Sequence, residues 1–195
     1  MKTILLATHN KHKFVEFRAM LGEKIRLISL DDIELYDEIP ETGTTFRENA
    51  RQKAAYVWEK TGGKYDVLAD DSGLEVKALN GEPGVWSARY AGEGCTSQDN
   101  IDKLLNKMKG EKERDARFVA VLALMTNDGT NFFEGEVRGK IIEERHGEGG
   151  FGYDPIFIPE GESLSFGELP AEKKNQISHR ASAIKELIKW ELQAL

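Results

Sequence analysis

Thr3-Ile4-Leu5-Leu6-Ala7-Thr8 runs through His9-Asn10 into Lys11-His12-Lys13-Phe14-Val15-Glu16-Phe17-Arg18-Ala19-Met20-Leu21. Past Gly22 it continues into Ile25-Arg26-Leu27-Ile28-Ser29-Leu30. The apolar run 4–7 reads as a buried strand, and Phe14, Phe17 and Leu21 recur at helical spacing. A strand over 3–8, a helix over 11–21 ended by Gly22 and a strand over 25–30 predict a parallel pair with a right-handed crossover. Ligands collect at the carboxyl ends of such strands, which directs attention to residues 8–13.

Farther along, Thr45 to Glu48 forms a capping box that opens a helix to about Lys60, closed by Gly62-Gly63. A strand then runs into Asp70, and 74–79 continue it or pair beside it after a bend at Gly73, with a turn at Asn80-Gly81. Residues 98–109 read as an amphipathic helix with Ile101, Leu104, Leu105 and Met108 on its core face. The runs 118–126 and 132–142 flank Asn127-Asp128-Gly129, so an antiparallel hairpin is expected and the sheet is mixed. Glycines 147, 149, 150 and 152 make a flexible loop before Asp154-Pro155 and a short strand over 156–158. Ser178 is placed to cap a last helix reaching Leu195. Without repeats or Pro/Ser-rich linkers, residues 1–195 read as one α/β domain.

With 27 basic and 34 acidic residues, the net charge of -7 opposes a broad nucleic-acid-binding surface but leaves room for a small basic pocket. The single cysteine, Cys95, makes no intrachain disulfide, as expected in a reducing compartment. The longest apolar run, 118–125, falls far below the ~20 residues of a membrane span. The segment after Met1 is too short for a signal-peptide core. A cytoplasmic protein without membrane or nucleic-acid partners is expected.

Several constellations offer chemistry. In Leu68-Ala69-Asp70-Asp71-Ser72-Gly73-Leu74, two carboxylates follow an apolar strand. Strand alternation points them to opposite faces, so only one faces a ligand. A metal or acid/base site and plain turn chemistry both account for this stretch. Thr8-His9-Asn10-Lys11-His12-Lys13 stands before a helix, where free N–H groups and the dipole favour phosphate; simple N-capping accounts for it equally. Glu41, Glu48 and Lys53 surround the start of the second helix. Phe151-Gly152-Tyr153-Asp154 offers two aromatic faces for a nucleobase and a carboxylate acceptor, or a packed turn. Lys174 and Ser178-His179-Arg180 bring donors to a helix start, where they oppose the dipole unless a phosphate, a keto oxygen or an acid such as Glu172 offsets them.

Taken together, Thr8-x-Asn10-x-x-Lys13, Glu41-Thr42-Gly43-x-Thr45-Phe46-x-Glu48-Asn49-Ala50, Ala69-Asp70-Asp71-Ser72-Gly73-Leu74, Pro83-Gly84-x-x-Ser87-Ala88-Arg89-Tyr90, Gly149-Gly150-Phe151-Gly152-Tyr153-Asp154-Pro155 and Ser178-His179-Arg180 closely resemble the inosine triphosphate pyrophosphatase family. The resemblance implies an elongated mixed β-sheet flanked by helices, with two lobes and the active-site cleft between them, and a homodimer. It also implies hydrolysis of ITP, dITP and XTP to monophosphate and pyrophosphate with Mg2+, or Mn2+. On this basis Thr8 to Lys13, Lys53 and Lys174 would hold the triphosphate, Glu41 and Asp71 would serve the metal, and Asp71 would activate water. Ser72 would touch substrate, while Phe151, Gly152, Tyr153, Asp154, His179 and Arg180 would hold the base. Maf-type pyrophosphatases share a Thr-x-Asn-like start but prefer other bases, and the Ser178-His179-Arg180 end argues against them. A non-catalytic nucleotide sensor would not need Glu41 and Asp71.

Overall fold

The computed structural model describes residues 2–22 and 25–193. Six strands form one mixed sheet: β1 Lys2–Leu6, β2 Ile25–Ile28, β3 Asp66–Val76, β4 Asp115–Thr126, β5 Gly129–Ile141 and β6 Phe157–Pro159, in the order β2-β1-β3-β4-β5-β6. The first strand pairs in parallel with both β2 and β3, and β5 pairs antiparallel with β6. The helices are α1 Lys11–Leu21, α2 Phe46–Lys60, α3 Ser97–Lys107, α4 Ala171–Ile177 and α5 His179–Gln193. The expected β-α-β opening and the hairpin around Asn127-Asp128 are both present, within a mixed α/β architecture.

Local chemistry sets the helix starts. Thr45 Oγ1 accepts from Glu48 N at 3.1 Å, and Glu48 Oε2 accepts from Thr45 N at 3.1 Å, which fixes the register of α2. Thr96 and Asp99 repeat this reciprocal cap on α3, one residue ahead of the expected start. Each cap stabilises its helix by about 1 kcal/mol. Ser178 Oγ accepts from Ala181 N at 3.2 Å and so caps α5. The final residues of the expected helix, Ala194 and Leu195, lie outside the described residues.

The main correction concerns Asp70-Asp71-Ser72-Gly73. The strand neither ends nor turns there: β3 runs unbroken to Val76, so of the two alternatives for 74–79 continuation holds over 74–76, while Lys77–Leu79 is a short 3-10 helix rather than more strand. Asp and Ser favour turns by bonding their own backbone, but both aspartates bond lysines instead. The turn falls at Asn80-Gly81, where Asn80 takes φ 53° and Gly81 φ 90°. The short helix α4 was not anticipated, although Pro170 stands at its N-cap and Glu172 in its first turn.

The chain divides into two compact units, one of residues 1–71, 120–135 and 183–195, the other of 72–119 and 136–182. The first has its own core, including Ile4, Leu6, Phe17, Leu68, Leu122 and Leu187. The second packs Leu74, Ile101, Leu104, Phe118, Phe157 and Phe166. Of the core faces foreseen, Phe17 and Leu21 of α1 and Ile101, Leu104 and Met108 at α3 are buried, each such side chain contributing about 1.5–3 kcal/mol, while Phe14 and Leu105 are half-buried.

Candidate active site

The first unit holds a cluster of four polar side chains. Asn49 and Lys53 lie one turn apart on α2 and therefore share a face. Lys53 Nζ donates to Asp71 Oδ1 at 2.8 Å and to Glu41 Oε1 at 2.7 Å, while Asn49 Nδ2 donates to Asp71 Oδ2 at 3.2 Å. Asn49, Lys53 and Asp71 are all buried. The Glu41 loop is fastened to α2 by Thr42 N on Gln52 Oε1 at 2.8 Å and by Gly43 N on Asn49 Oδ1 at 2.7 Å.

Burial pushes the Asp71 carboxyl above the ordinary 3.8, and the Lys53 charge offsets this only in part. Burial pulls the Lys53 ammonium down, yet the charges of Asp71 and Glu41 outweigh it and hold it above 10.5. A carboxylate of raised basicity beside a fixed ammonium suits proton transfer next to an anion.

Strand alternation separates the two aspartates as expected. Asp70, buried, pairs with Lys13 Nζ at 2.7 Å through Oδ2, whereas Asp71 pairs with Lys53. In the loop before α1, Asn10 Oδ1 accepts from Lys13 N and Thr8 Oγ1 accepts from Asn10 N, each at 3.1 Å. The capping geometry is therefore present. His9 Nε2 lies 2.9 Å from Asp37 O, and Lys11 and His12 are exposed. No acidic residue occupies the first turn of α1, whereas α2 carries Glu48 and α3 Asp99 there. The positive end of α1 thus has no carboxylate in its own first turn.

Glu41 Oε1 and Asp71 Oδ1 converge on a single cation, the Lys53 ammonium. Two hard carboxylates fit Mg2+, which binds through one or two carboxylates plus phosphate and keeps several waters. Among the described residues no group of three or more His, Cys, Asp or Glu side chains converges, so the protein's share of such a shell is small.

The second unit gathers the remaining candidates. Asp154 Oδ2 accepts from Lys174 Nζ at 2.6 Å and from Phe151 N at 2.8 Å. A Cβ on Gly150 would lie 2.0 Å from that oxygen at φ 71°, so the loop needs glycine there. Lys174 Nζ stands 4.8 Å and Arg180 Cζ 5.2 Å from the Phe151 ring centre, within cation–π range. Arg180 Nη2 donates to Ser72 Oγ at 2.6 Å, and His179 stacks on Phe118 at 4.9 Å. Lys174, matched to the triphosphate by the motif resemblance, is thus grouped with the aromatic loop.

Gly152 is half-buried beside Phe151, but Tyr153 departs from the expected pair of aromatic faces. Its ring is buried in the second core and its hydroxyl donates to Ser87 O at 2.9 Å. Burial pushes the phenol well above its ordinary value, so it remains a protonated donor. Of the two aromatic residues, Phe151 is half-buried and Tyr153 buried. Sequence reasoning gave no role to Asn49 or to Ser87, whose Oγ accepts from Leu74 N at 2.9 Å and donates to Gly84 O at 2.6 Å. Both lie within the motifs that carry the family resemblance, yet only the fold reveals what they bond.

These observations define an α/β protein with a buried lysine–carboxylate cluster in one unit and a cation-flanked aromatic loop in the other. The model of the Ham1 family matches residues 4–190, and the chain belongs to that family. The resemblance read from the motifs is thereby borne out. A Flavobacterium johnsoniae protein named dITP/XTP pyrophosphatase is 48% identical over 185 residues, covering 95% of each chain. An Oceanobacillus iheyensis protein of the same name is 48% identical, covering 97% of this chain and 98% of its own. The solved Ham1 protein of Staphylococcus aureus superposes with a TM-score of 0.89 at 42% identity, covering both chains fully.

Proposed function

We propose that the chain is a Mg2+-dependent pyrophosphatase that hydrolyses deaminated purine nucleoside triphosphates, dITP, ITP and XTP, to the monophosphate and pyrophosphate. The observation that carries this reading is the convergence of Glu41 and Asp71 on one cation position, with Asp71 raised in basicity. The relatives named dITP/XTP pyrophosphatase support the substrate class.

In this reading the N–H groups opening α1, together with Thr8, Asn10 and Lys13, take triphosphate oxygens; Lys53 adds charge at the reacting end. Glu41 and Asp71 would hold the metal, which when bound neutralises phosphate charge and polarises the reacting phosphoryl group. Asp71 accepts a proton as water oxygen bonds to the α-phosphorus and the bond to the pyrophosphate oxygen breaks. Phe151 stacks the base, while Lys174, His179 and Arg180 offer donors to its 6-keto oxygen. Adenine presents an amino group at that position and leaves donor facing donor, so ATP is rejected. The same reading carries a homodimer in the cytoplasm, to be checked by light scattering and cell fractionation.

A Mg2+-dependent pyrophosphate-release screen across dITP, ITP, XTP, ATP, GTP and UTP tests the proposal. Release from the deaminated purines is expected; release from UTP alone would favour a Maf-type activity, and none at all a sensor. In the same assay Asp71→Asn should lower kcat by about 10³-fold with nucleotide binding retained. Undiminished turnover would remove Asp71 from the proton-transfer role.

A further inference from the structure

We infer that Asn49 is the positioning residue that sets the spacing of the two carboxylates, an inference that rests on the proposed pyrophosphatase reading for its catalytic consequence. Its side chain is fully buried and touches both carboxylate-bearing segments. Gly43 N donates to Asn49 Oδ1 at 2.7 Å, two residues from Glu41. Because a backbone N–H demands an acceptor, Oδ1 is fixed on that side and Nδ2 must face Asp71. There it donates to Asp71 Oδ2 at 3.2 Å, while Lys53 takes Oδ1 at 2.8 Å. Two donors on two oxygens fix the plane of the Asp71 carboxylate.

The residue type follows from this geometry. Aspartate could accept from Gly43 but could not donate to Asp71, and the serine hydroxyl sits on a side chain one atom shorter. Only a planar amide presents an acceptor and a donor side by side at this length. Gly43 answers to the same demand, since a Cβ there would lie 2.6 Å from Glu48 Cβ and 2.8 Å from Asn49 Oδ1. The Glu41 loop therefore approaches α2 as closely as the amide bond requires. One side chain thus ties Glu41 and Asp71 to a common frame, and Lys53 sits one turn along the same helix.

The test uses the full chain with Mn2+ as the probe, read by electron paramagnetic resonance without nucleotide, alongside dITP kinetics and thermal unfolding. Asn49→Ala is expected to weaken Mn2+ affinity and lower kcat by about tenfold each, with KM for dITP changed less than about threefold. Gln52→Ala releases the Thr42 clasp without touching Asp71 and should lose clearly less. Equal losses in the two variants, or unchanged Mn2+ affinity in Asn49→Ala, would overturn the inference. If Asn49→Ala does not fold, the Asn49 side-chain amide signals of the unsubstituted protein are followed by NMR during Mg2+ titration. Displaced signals support the coupling to Asp71 and unmoved ones at saturation refute it. A chain that loses Mn2+ affinity in Asn49→Ala yet hydrolyses no triphosphate would sink the proposed function and leave the positioning role standing.

Discussion

Replacing Lys53 by methionine probes the balance on which the cluster rests. The substitution keeps length and bulk but removes the ammonium that lies 2.7 Å from Glu41 and 2.8 Å from Asp71. Asp71 is then a buried carboxylate whose remaining donor in the cluster is the neutral Asn49 amide. Stripping one partner from a buried pair costs about 3 kcal/mol, and at about 3 °C per kcal/mol for a chain of this size the melting temperature should fall by about 9 °C near pH 7. The pH dependence has a definite sign. Asp71 already has a folded-state pKa above its unfolded value near 3.8, so within that window the folded chain holds a proton the unfolded chain lacks, and stability falls as pH rises through it. Losing Lys53 widens the window upward, so the deficit should shrink on acidification through it. Lys53 acts at the other end of the scale. Raised above 10.5, its contribution is full below that value and fades as pH climbs through the raised one, a loss the methionine variant should lack. At one shared Mg2+ concentration the variant should gain more stability than the unsubstituted protein, where the ammonium already fills the gap; at 100 times the variant's dissociation constant its own gain is about 2.7 kcal/mol. Differential scanning calorimetry at several pH values, with and without Mg2+, measures all of this. A melting temperature within about 2 °C of the unsubstituted protein, or a Mg2+ response no larger than its own, would refute the account of Lys53 as the counter-ion of buried Asp71 and half-buried Glu41.

Tyr153→Phe should cost about 1 kcal/mol in urea unfolding near neutral pH, through the lost bond to Ser87 O. Because the folded-state phenol is raised above 10.0, its contribution is full below pH 10 and fades above it, and the phenylalanine variant should lack that alkaline decline. Arg180→Ala removes the donor that bonds Ser72 and flanks Phe151, and should narrow the kcat/KM ratio of ITP over GTP by about tenfold. An unchanged ratio would place base selection on other residues.

How far the sequence discloses this molecule depends on the range of the interaction that decides each element. The crossover at the start, the capping box at Thr45 and the Asn127-Asp128 hairpin were legible because local spacing sets them. The course of β3 was not. Asp-Asp-Ser-Gly carries strong turn chemistry, and the opposing influence comes from Lys13 and Lys53, distant in the chain and invisible to any local window. Tyr153 shows the same limit: an exposed ring and a buried one have the same letter, and only the bond to Ser87 separates them.

Strand geometry then explains how the adjacent aspartates serve different ends. Had the chain turned at Asp70, both carboxylates could have bonded local amides and entered solvent together. In an extended strand the two side chains diverge, and each meets a lysine from a different helix: Lys13 in the first turn of α1, and Lys53 on α2 beside Glu41. The pairing neutralises two buried acids separately, and because Asn49 adds an uncharged donor to only one of them, the two are left chemically unlike. Asp71 shares its cation with a second carboxylate and has raised basicity, the two properties on which its proposed roles rest. Asp70, paired with Lys13, instead anchors the positive charge at the head of α1. This division predicts unequal costs for the two asparagine substitutions: Asp70→Asn should loosen Lys13 and act chiefly through KM for the triphosphate, whereas Asp71→Asn should act through kcat. The same kinetic signature in both would show that the strand does not separate their roles.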